Sequence, residues 1–241
     1  MDELLVSAII PSYNRYSYLE NAISSVENQT YKNIEIIVIN DGSDQNEYYS
    51  KELADRVNLI NLKENHGQKK GFGHDSIRNF GIKEASGKFI AFLDDDDHWL
   101  EKKVEIQLYD LIDKKMKFSS TEGYFGNGPF DKKNKYKLYN KEKFFKKIKK
   151  KYRGTKYLKK GFPEIWNYDF INIHNCIITS SVMVERELIN LVGGFKNISG
   201  PEDYECWKAM LLHEELLYIN KPLFYYDGSH GDGQQYKYLI N

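Results

Sequence analysis

The chain has 241 residues, 41% of them hydrophobic and 15% aromatic, which is enough apolar material for a packed core and too much for a disordered chain. Its formal net charge is zero, and its two cysteines, Cys176 and Cys206, form no C-x-x-C pair. This argues against a disulfide framework or a zinc site and for a reducing, cytoplasmic compartment. No apolar run approaches the roughly 18 residues of a membrane span, and Met1–Ile10 lacks the basic start and small-residue cleavage site of a signal peptide.

In chain order, Leu4–Ile10 is a short apolar run ended by Pro11 and reads as a buried strand. Ser17 to Glu20 has capping-box spacing, and Leu19, Ala22, Ile23 and Val26 fall on one helical face. Glu35–Asn40 is rich in β-branched residues and ends at the turn signal Asp41-Gly42. A helix over Asn46–Asp55, a strand over Val57–Leu62 and a helix over Gly73–Ala85, stopped by Ser86-Gly87, follow. Phe89–Leu93 is a fourth strand that runs into Asp94-Asp95-Asp96-Asp97, and Leu100–Lys114 is helical. Strands separated by helices of this length predict a mostly parallel central sheet flanked by helices.

The second half is less regular. From Asp131 to Gly161 there are 15 lysines or arginines against two acids, about +13, so the remainder carries about −13. Within this segment Phe144, Phe145, Ile148 and Tyr152 share one face of a possible helix. Such a segment suits a solvated insertion, an anionic acceptor or, peripherally, an anionic membrane surface; no nucleic-acid-recognition motif accompanies the charge. Ile177–Val184 reads as a strand, Glu185–Val192 as a helix stopped by Gly193-Gly194, and Pro201–Leu212 as a helix with acids in its first turn.

Three polar clusters fall at the carboxyl ends of predicted parallel strands, where ligands bind in such sheets: Pro11 to Asn14, Asn40 to Ser43, and the four aspartates. Four consecutive carboxylates cannot all be buried ionised without a cation, and hard oxygen ligands suit Mg²⁺ or Mn²⁺ beside a diphosphate. A solvated acidic turn would leave the same trace in a sequence.

The stretches VSAIIPSYNR (6–15), SVENQTYKNIEIIVINDGS (25–43), IRNFGIKEASGKFIAFLDDDDHW (77–99) and GGF…PEDYECW (193–207), in that order, resemble glycosyltransferase family 2. The resemblance implies a GT-A fold, a Rossmann-like nucleotide-diphospho-sugar transferase. It implies one domain over 1–241, with a nucleotide-sugar-binding half at 1–115 and an acceptor-binding half at 116–241 that carries the Lys-rich insertion at about 131–161. The implied reaction is metal-dependent, inverting transfer of a sugar, most simply from a UDP-sugar, to a hydroxyl on a glycan, lipid or protein. Pro11 and Tyr13 match positions lining the nucleobase pocket, and Asp41 matches the acid that accepts from the uracil N–H. The acid that usually precedes it is Asn40 here. Arg78 matches an arginine near base and phosphate, and Asp94, Asp95 and Asp96 match D-x-D, with Asp96 ligating Mn²⁺ or Mg²⁺. His230 is the candidate late metal ligand. Asp203 matches the general base, with Glu202 supporting it or touching the acceptor. Sugar-phosphate nucleotidyltransfer and a catalytically degenerate nucleotide-binding module remain as alternatives. The chain lacks the N-terminal glycine-rich phosphate loop of the first and retains the acids that the second would have lost.

Overall fold

A computed structural model describes residues 4–66, 76–198 and 200–229. The first half follows the strand–helix alternation: β1 (Val6–Ser12), α1 (Tyr16–Glu27), β2 (Ile34–Asn40), a 3₁₀ turn (Asn46–Tyr49), α2 (Lys51–Arg56), β3 (Asn58–Asn61), α3 (Ile77–Glu84) and β4 (Phe89–Phe92). Next come β5 (His98–Trp99), α4 (Lys103–Asp113), β6 (Phe118–Gly126), β7 (Lys137–Leu138), a π-helical turn (Tyr139–Lys143) and α5 (Phe145–Lys151). The chain then forms β8 (Ile165–Trp166), α6 (Tyr168–Ile173), a 3₁₀ turn (Thr179–Ser181), β9 (Met183–Glu185), α7 (Arg186–Leu191), α8 (Glu202–Leu211) and β10 (Leu216–Asp227).

The strands form one sheet in the order β3-β2-β1-β4-β9-β6-β10-β5, with β7 on β6 and β8 on β10. β1, β2, β3 and β4 are mutually parallel, and β1 is in register with both neighbours, Ser12 opposite Asn40 and Ile9 opposite Phe92. β1 is buried on both faces, as a central parallel strand is when helices cover the sheet. The period of two sends Ala8 and Ile10 to the core shared with α1 and α4. It sends Ile9 to the opposite core, where Ile82 of α3, Ile148 of α5 and Trp207 of α8 pack. The order reverses at β1 and β4, so the crevice beyond their carboxyl ends is the switch point at which such sheets hold ligands.

Several boundaries differ from the sequence reading. Arg15, not Ser17, caps α1, and no side chain bonds there. Glu20, the presumed partner in the capping box, instead accepts from Arg56 Nη1 at 3.0 and 2.9 Å. The run expected to form one strand over Ile177–Val184 is broken by the 3₁₀ turn, and only Met183–Glu185 pairs, antiparallel to β4 and β6. The break is made by polar bonding: Ser180 Oγ accepts from Asp94 N at 3.0 Å, and Ser180 O from Trp99 Nε1 at 2.9 Å. The helix expected from Gly73 begins at Ile77; residues 73–75 of that expectation lie outside the described residues.

The apolar side of the basic segment is used internally. Ile148 and Tyr152 are each 2% exposed, and Tyr152 stacks on Phe170 while donating to its carbonyl at 2.8 Å. The lysines of α5 are exposed, Ile148 and Tyr152 are covered, and Phe144 and Phe145 are half-buried. Among the described residues no helix is long and apolar enough to cross a membrane.

Asn79 of α3 joins the halves. Its Oδ1 accepts from Phe195 N at 2.9 Å and its Nδ2 donates to Phe195 O at 2.7 Å. Gly193 and Gly194 end α7 with φ of 78° and 71°, and a Cβ at Gly194 would meet Asn79 Oδ1 at 2.4 Å. Glycine is needed there for both backbone sign and space. Asn79→Ala leaves two buried backbone groups without partners and is expected to lower stability by about 1–3 kcal/mol. Urea unfolding measures this, and a loss under about 0.5 kcal/mol, as for an ordinary surface site, would show that the clamp carries no stability.

Candidate active site at the carboxyl edge of the sheet

Three loops meet beyond β1, β2 and β4. After β1, Asn14 takes a left-handed backbone, φ 50°, which asparagine tolerates better than most residues. Its N–H donates to Ser43 Oγ at 3.0 Å, and its Oδ1 accepts from Asp44 N at 2.7 Å, joining the first two loops. Ser12 Oγ donates to Asp95 Oδ2 at 2.7 Å and lies 2.5 Å from the Tyr48 hydroxyl. Pro11 sits in β1 opposite Ile39, and both Pro11 and Tyr13 are half-buried at this edge.

After β2, Asn40 does what a carboxylate cannot. Its Oδ1 accepts from Ser43 N at 2.9 Å while its Nδ2 donates to Asn61 Oδ1 at 2.8 Å, tying the turn to β3. Gly42 has φ 72°, and a Cβ there would lie 2.6 Å from the Glu64 carbonyl carbon, so the 64–66 segment crosses directly over the turn. Asp41, 1% exposed, accepts from His66 N at 2.7 Å.

The acid run is held from two sides. Arg15 donates to Asp95 Oδ1 and, from Nη1, to Asp96 Oδ2 at 3.1 Å. Arg78, in the first turn of α3, donates from Nη2 to Asp94 Oδ1 at 2.5 Å and from Nη1 to Glu202 Oε1 at 3.1 Å. Asp95 is 2% exposed and turned inward to Ser12 and Arg15. Burial pushes its carboxyl up to about 7 against the pull of Arg15. Asp97, also buried, is raised by burial and then by its neighbours Asp96 and Asp94. Its Oδ1 accepts from Asp227 N at 3.0 Å.

Asp203 stands in the first turn of α8. Its Oδ1 accepts from Tyr204 N at 2.7 Å, whereas its Oδ2 has only Thr179 Oγ1, at 3.5 Å. Burial raises its pKa, Arg78 lowers it, and Asp94 and Glu202 raise it, so the residue lies within electrostatic reach of the acid run. Asp41, Arg78, Asp94 to Asp96, Glu202 and Asp203 thus come from β2, α3, β4 and α8 to one edge of the sheet. His230 lies outside the described residues. His98, adjacent to the run, stacks on Phe130 and is lowered by burial to about 4, which keeps it neutral.

Among the described residues no three His, Cys, Asp or Glu side chains are grouped to hold a metal ion. The local chemistry nonetheless fits a hard cation. Asp227 Oδ2 is buried without a hydrogen-bond partner, and Asp97 Oδ2 makes no bond of normal geometry, with the Ser180 hydroxyl nearby.

Sequence reasoning gave no role to Arg15, Tyr48, Tyr139 or Tyr226. The arginines left a signal. Only five of the 35 basic residues are arginine, and Arg15, Arg56 and Arg78 each bridge two carboxylates. A chain that uses lysine almost everywhere keeps arginine where a planar fork is required. The three tyrosines had no such mark. Tyr139 is within electrostatic reach of Asp97 and Asp203, and Tyr226 of Asp97, Asp94 and Asp96.

Residues 7–187 match the family model described as Glycosyl transferase family 2. The chain is 33% identical over 221 residues to the Escherichia coli protein UDP-Glc:alpha-D-GlcNAc-diphosphoundecaprenol beta-1,3-glucosyltransferase WfgD, a match covering 91% of this chain and 75% of that one. In structure it resembles S. aureus TarS 1-349 in complex with UDP-GlcNAc, with TM-score 0.66, 17% identity, and 95% of this chain and 60% of that chain covered. It also resembles the mannosyltransferase PcManGT from Pyrobaculum calidifontis in complex with GDP-Man and Mn²⁺, with TM-score 0.61, 15% identity, and 91% and 55% covered. The chain spans as little as 16% of the length of the curated relatives that it matches. The mixed sheet, its switch-point crevice and the match over residues 7–187 together place this chain in glycosyl transferase family 2.

Proposed function

We propose that this chain transfers a sugar from a UDP-sugar to an acceptor hydroxyl by a single inverting displacement, with Asp203 as the general base. The observation that carries the reading is the position of Asp203. It is a half-buried carboxylate with a raised pKa, adjacent in sequence to Glu202, which Arg78 links to the acid run, with one oxygen fixed and the other nearly unengaged. The UDP donor is supported by the printed name of WfgD and by the UDP-GlcNAc complex of TarS.

The chemistry follows from the side chains. A sugar hydroxyl is a poor nucleophile, and its proton must leave as its oxygen attacks the anomeric carbon. Asp203 Oδ2 takes that proton while Oδ1 stays on the Tyr204 amide, which fixes the orientation of the carboxylate. Burial makes Asp203 more basic than a surface aspartate, while the Tyr204 amide and then Arg78 favour its ionised form. Arg78 also couples Asp94 to Glu202, so the donor and acceptor sides share one rigid contact. Pro11, Tyr13 and Asp41 provide the base pocket. Asp96 would hold a divalent cation, Mn²⁺ or Mg²⁺, with Asp97, Asp227 and His230 as further candidate ligands, and the cation would supply charge neutralisation of the departing diphosphate.

Asp203→Asn keeps the size of the side chain but cannot accept the proton. Turnover should fall by about 10²–10⁴, with UDP affinity within about twofold by calorimetry. In the wild type kcat should fall as pH drops through the raised carboxyl pKa, because only the ionised form is a base. Product NMR should show inversion at the anomeric carbon. A retained configuration, or a fully active Asn variant, contradicts the mechanism.

Asp41→Ala should weaken UDP by the value of a charge-assisted hydrogen bond, about 1.5–3 kcal/mol. Equal titrations of both proteins would remove Asp41 from the base pocket. Asp96→Ala should abolish metal-stimulated transfer while the protein stays folded by circular dichroism. Activity of the wild type that is indifferent to EDTA would refute the metal assignment.

A further inference from the structure

A row of buried polar side chains approaches the acid run from behind, and neither the donor nor the base chemistry uses it. It begins at Lys103, the one lysine that is buried among the described residues. Lys103 Nζ donates to Gln107 Oε1, one helical turn further along α4, at 2.6 Å and lies 4.2 Å above the Trp99 ring. With Oε1 turned to Lys103, the amide nitrogen points the other way. Gln107 Nε2 donates to Ser181 O at 2.9 Å and to Ser119 Oγ at 3.0 Å. The preceding carbonyl of the 3₁₀ turn, Ser180 O, accepts from Trp99 Nε1 at 2.9 Å. Lys103 therefore braces both of the donors that hold the turn.

The turn needs such bracing. It spans only Thr179–Ser181, and a 3₁₀ turn of that length is held weakly by its own hydrogen bonds. The surrounding run Ile177–Val184 has the pattern of a strand, so extended backbone competes with the turn. Ser181 Oγ donates back to Ile178 O at 2.5 Å. Ser180 faces the acids: its Oγ accepts from Asp94 N at 3.0 Å and lies beside the Asp97 carboxyl, whose ionised form it favours. A shift of Ser180 would free the backbone at the first acid of the run and remove the hydroxyl beside the last. Stability alone does not call for a lysine at the root of this row. No carboxylate offsets its burial, and an apolar side chain of similar length would fill the space at lower cost.

We propose that Lys103 and Gln107 are positioning residues for the divalent cation: through the Ser181 carbonyl they hold the Thr179–Ser181 turn, and through Ser180 the turn holds Asp94 and Asp97 in the arrangement that lets the acid run take the cation. Neither residue touches the cation or the donor. This rests on the reading above in which the run, with Asp96, binds Mn²⁺ or Mg²⁺. Groups that orient metal-binding side chains from behind are typically worth about 10–100-fold in metal affinity.

The test reads binding rather than turnover. Mn²⁺ alone, UDP alone and UDP with Mn²⁺ are titrated by calorimetry into the full chain and its variants, beside thermal unfolding. Gln107→Met keeps the length of the side chain and loses the donor to Ser181 O. It should bind Mn²⁺ about 10–100-fold more weakly and lose the tightening of UDP by Mn²⁺, while UDP without metal binds as in the wild type. Lys103→Met should weaken Mn²⁺ as well, yet leave Tm equal or higher, because it removes a buried amine that has no counter-charge. A lysine that served only the core would give the opposite pair of results, a lower Tm and an unchanged Mn²⁺ affinity. Added to Ser180→Ala, Gln107→Met should cost little more Mn²⁺ affinity than Ser180→Ala alone, because both cut one path. The proposal is overturned if either methionine variant keeps wild-type Mn²⁺ affinity, or if UDP weakens equally with and without Mn²⁺. It is also overturned if the effects of Gln107→Met and Ser180→Ala add in full. A wild type that binds UDP and is indifferent to Mn²⁺ overturns it too, and leaves UDP as the donor. A wild type that binds Mn²⁺ but not UDP refutes the transfer reading instead, and the Mn²⁺ titrations of the variants still decide the role of Lys103 and Gln107.

Discussion

Four adjacent carboxylates at the end of β4 must be kept from driving the edge of the sheet apart. Two like charges about 5 Å apart repel by roughly 3 kcal/mol at an effective dielectric of 20, and Asp94 to Asp97 form several such pairs. The fold answers with two arginines on opposite sides. Arg15, at the start of α1, takes Asp95 and Asp96; Arg78, in α3, takes Asp94. Asp97 is turned into the protein, where burial favours its neutral form. Because Arg78 also holds Glu202, the same compensation that stabilises the run positions α8 and the adjacent Asp203. Stability and site geometry are therefore one network, and loss of either guanidinium would disturb both.

The polar residues around this network show how tightly the second half is fitted to the first. Ser180 and Ser181 interrupt an apolar run so that their atoms can bond Asp94, Trp99, Gln107 and Ser120. Lys103 is fully buried in α4, with its ammonium 2.6 Å from Gln107 Oε1 and over the Trp99 ring at 4.2 Å. Burial lowers its pKa well below the ordinary lysine value, and no carboxylate opposes the shift. The Gln107 that receives it also reaches Ser119 and Ser181 O, so a buried polar chain runs under the acid loop from α4 to the 3₁₀ turn. Such chains are tolerated in a core only when their members are bonded.

Much of this was legible in the residues. The alternation of β-branched runs and amphipathic stretches over the first hundred positions determined the strands, the helices and their parallel order, because hydrophobic period and turn chemistry act locally. That acids would gather at the carboxyl edge of the sheet was legible too, since the acid run directly follows a predicted strand. Asp41, Arg78, Asp94, Asp96, Glu202 and Asp203 all reach the predicted edge of the sheet. The capping box at Ser17 misled because Glu20 found a stronger partner, a long-range arginine, than the local amide. The strand expected from Ile177 misled because the hydroxyls within it bond to a distant loop.

What only the tertiary structure decided are the interactions between residues far apart in the chain. Apolar periodicity in the basic segment could not say whether Ile148 and Tyr152 face a core or a membrane, and Phe170, Trp166 and Tyr218 settle it by covering them. Arg15 had no partner until α1 was laid beside β4. Tyr139 and Tyr226 are 87 positions apart in sequence and meet only because β10 pairs with β6, from which the π-helical turn is suspended by Glu122. Local energetics fix elements, and so the sequence by itself determined the fold class and the acids at its edge. Which cation answers which acid, and which aromatic rings meet, depend on long-range packing that no local pattern encodes.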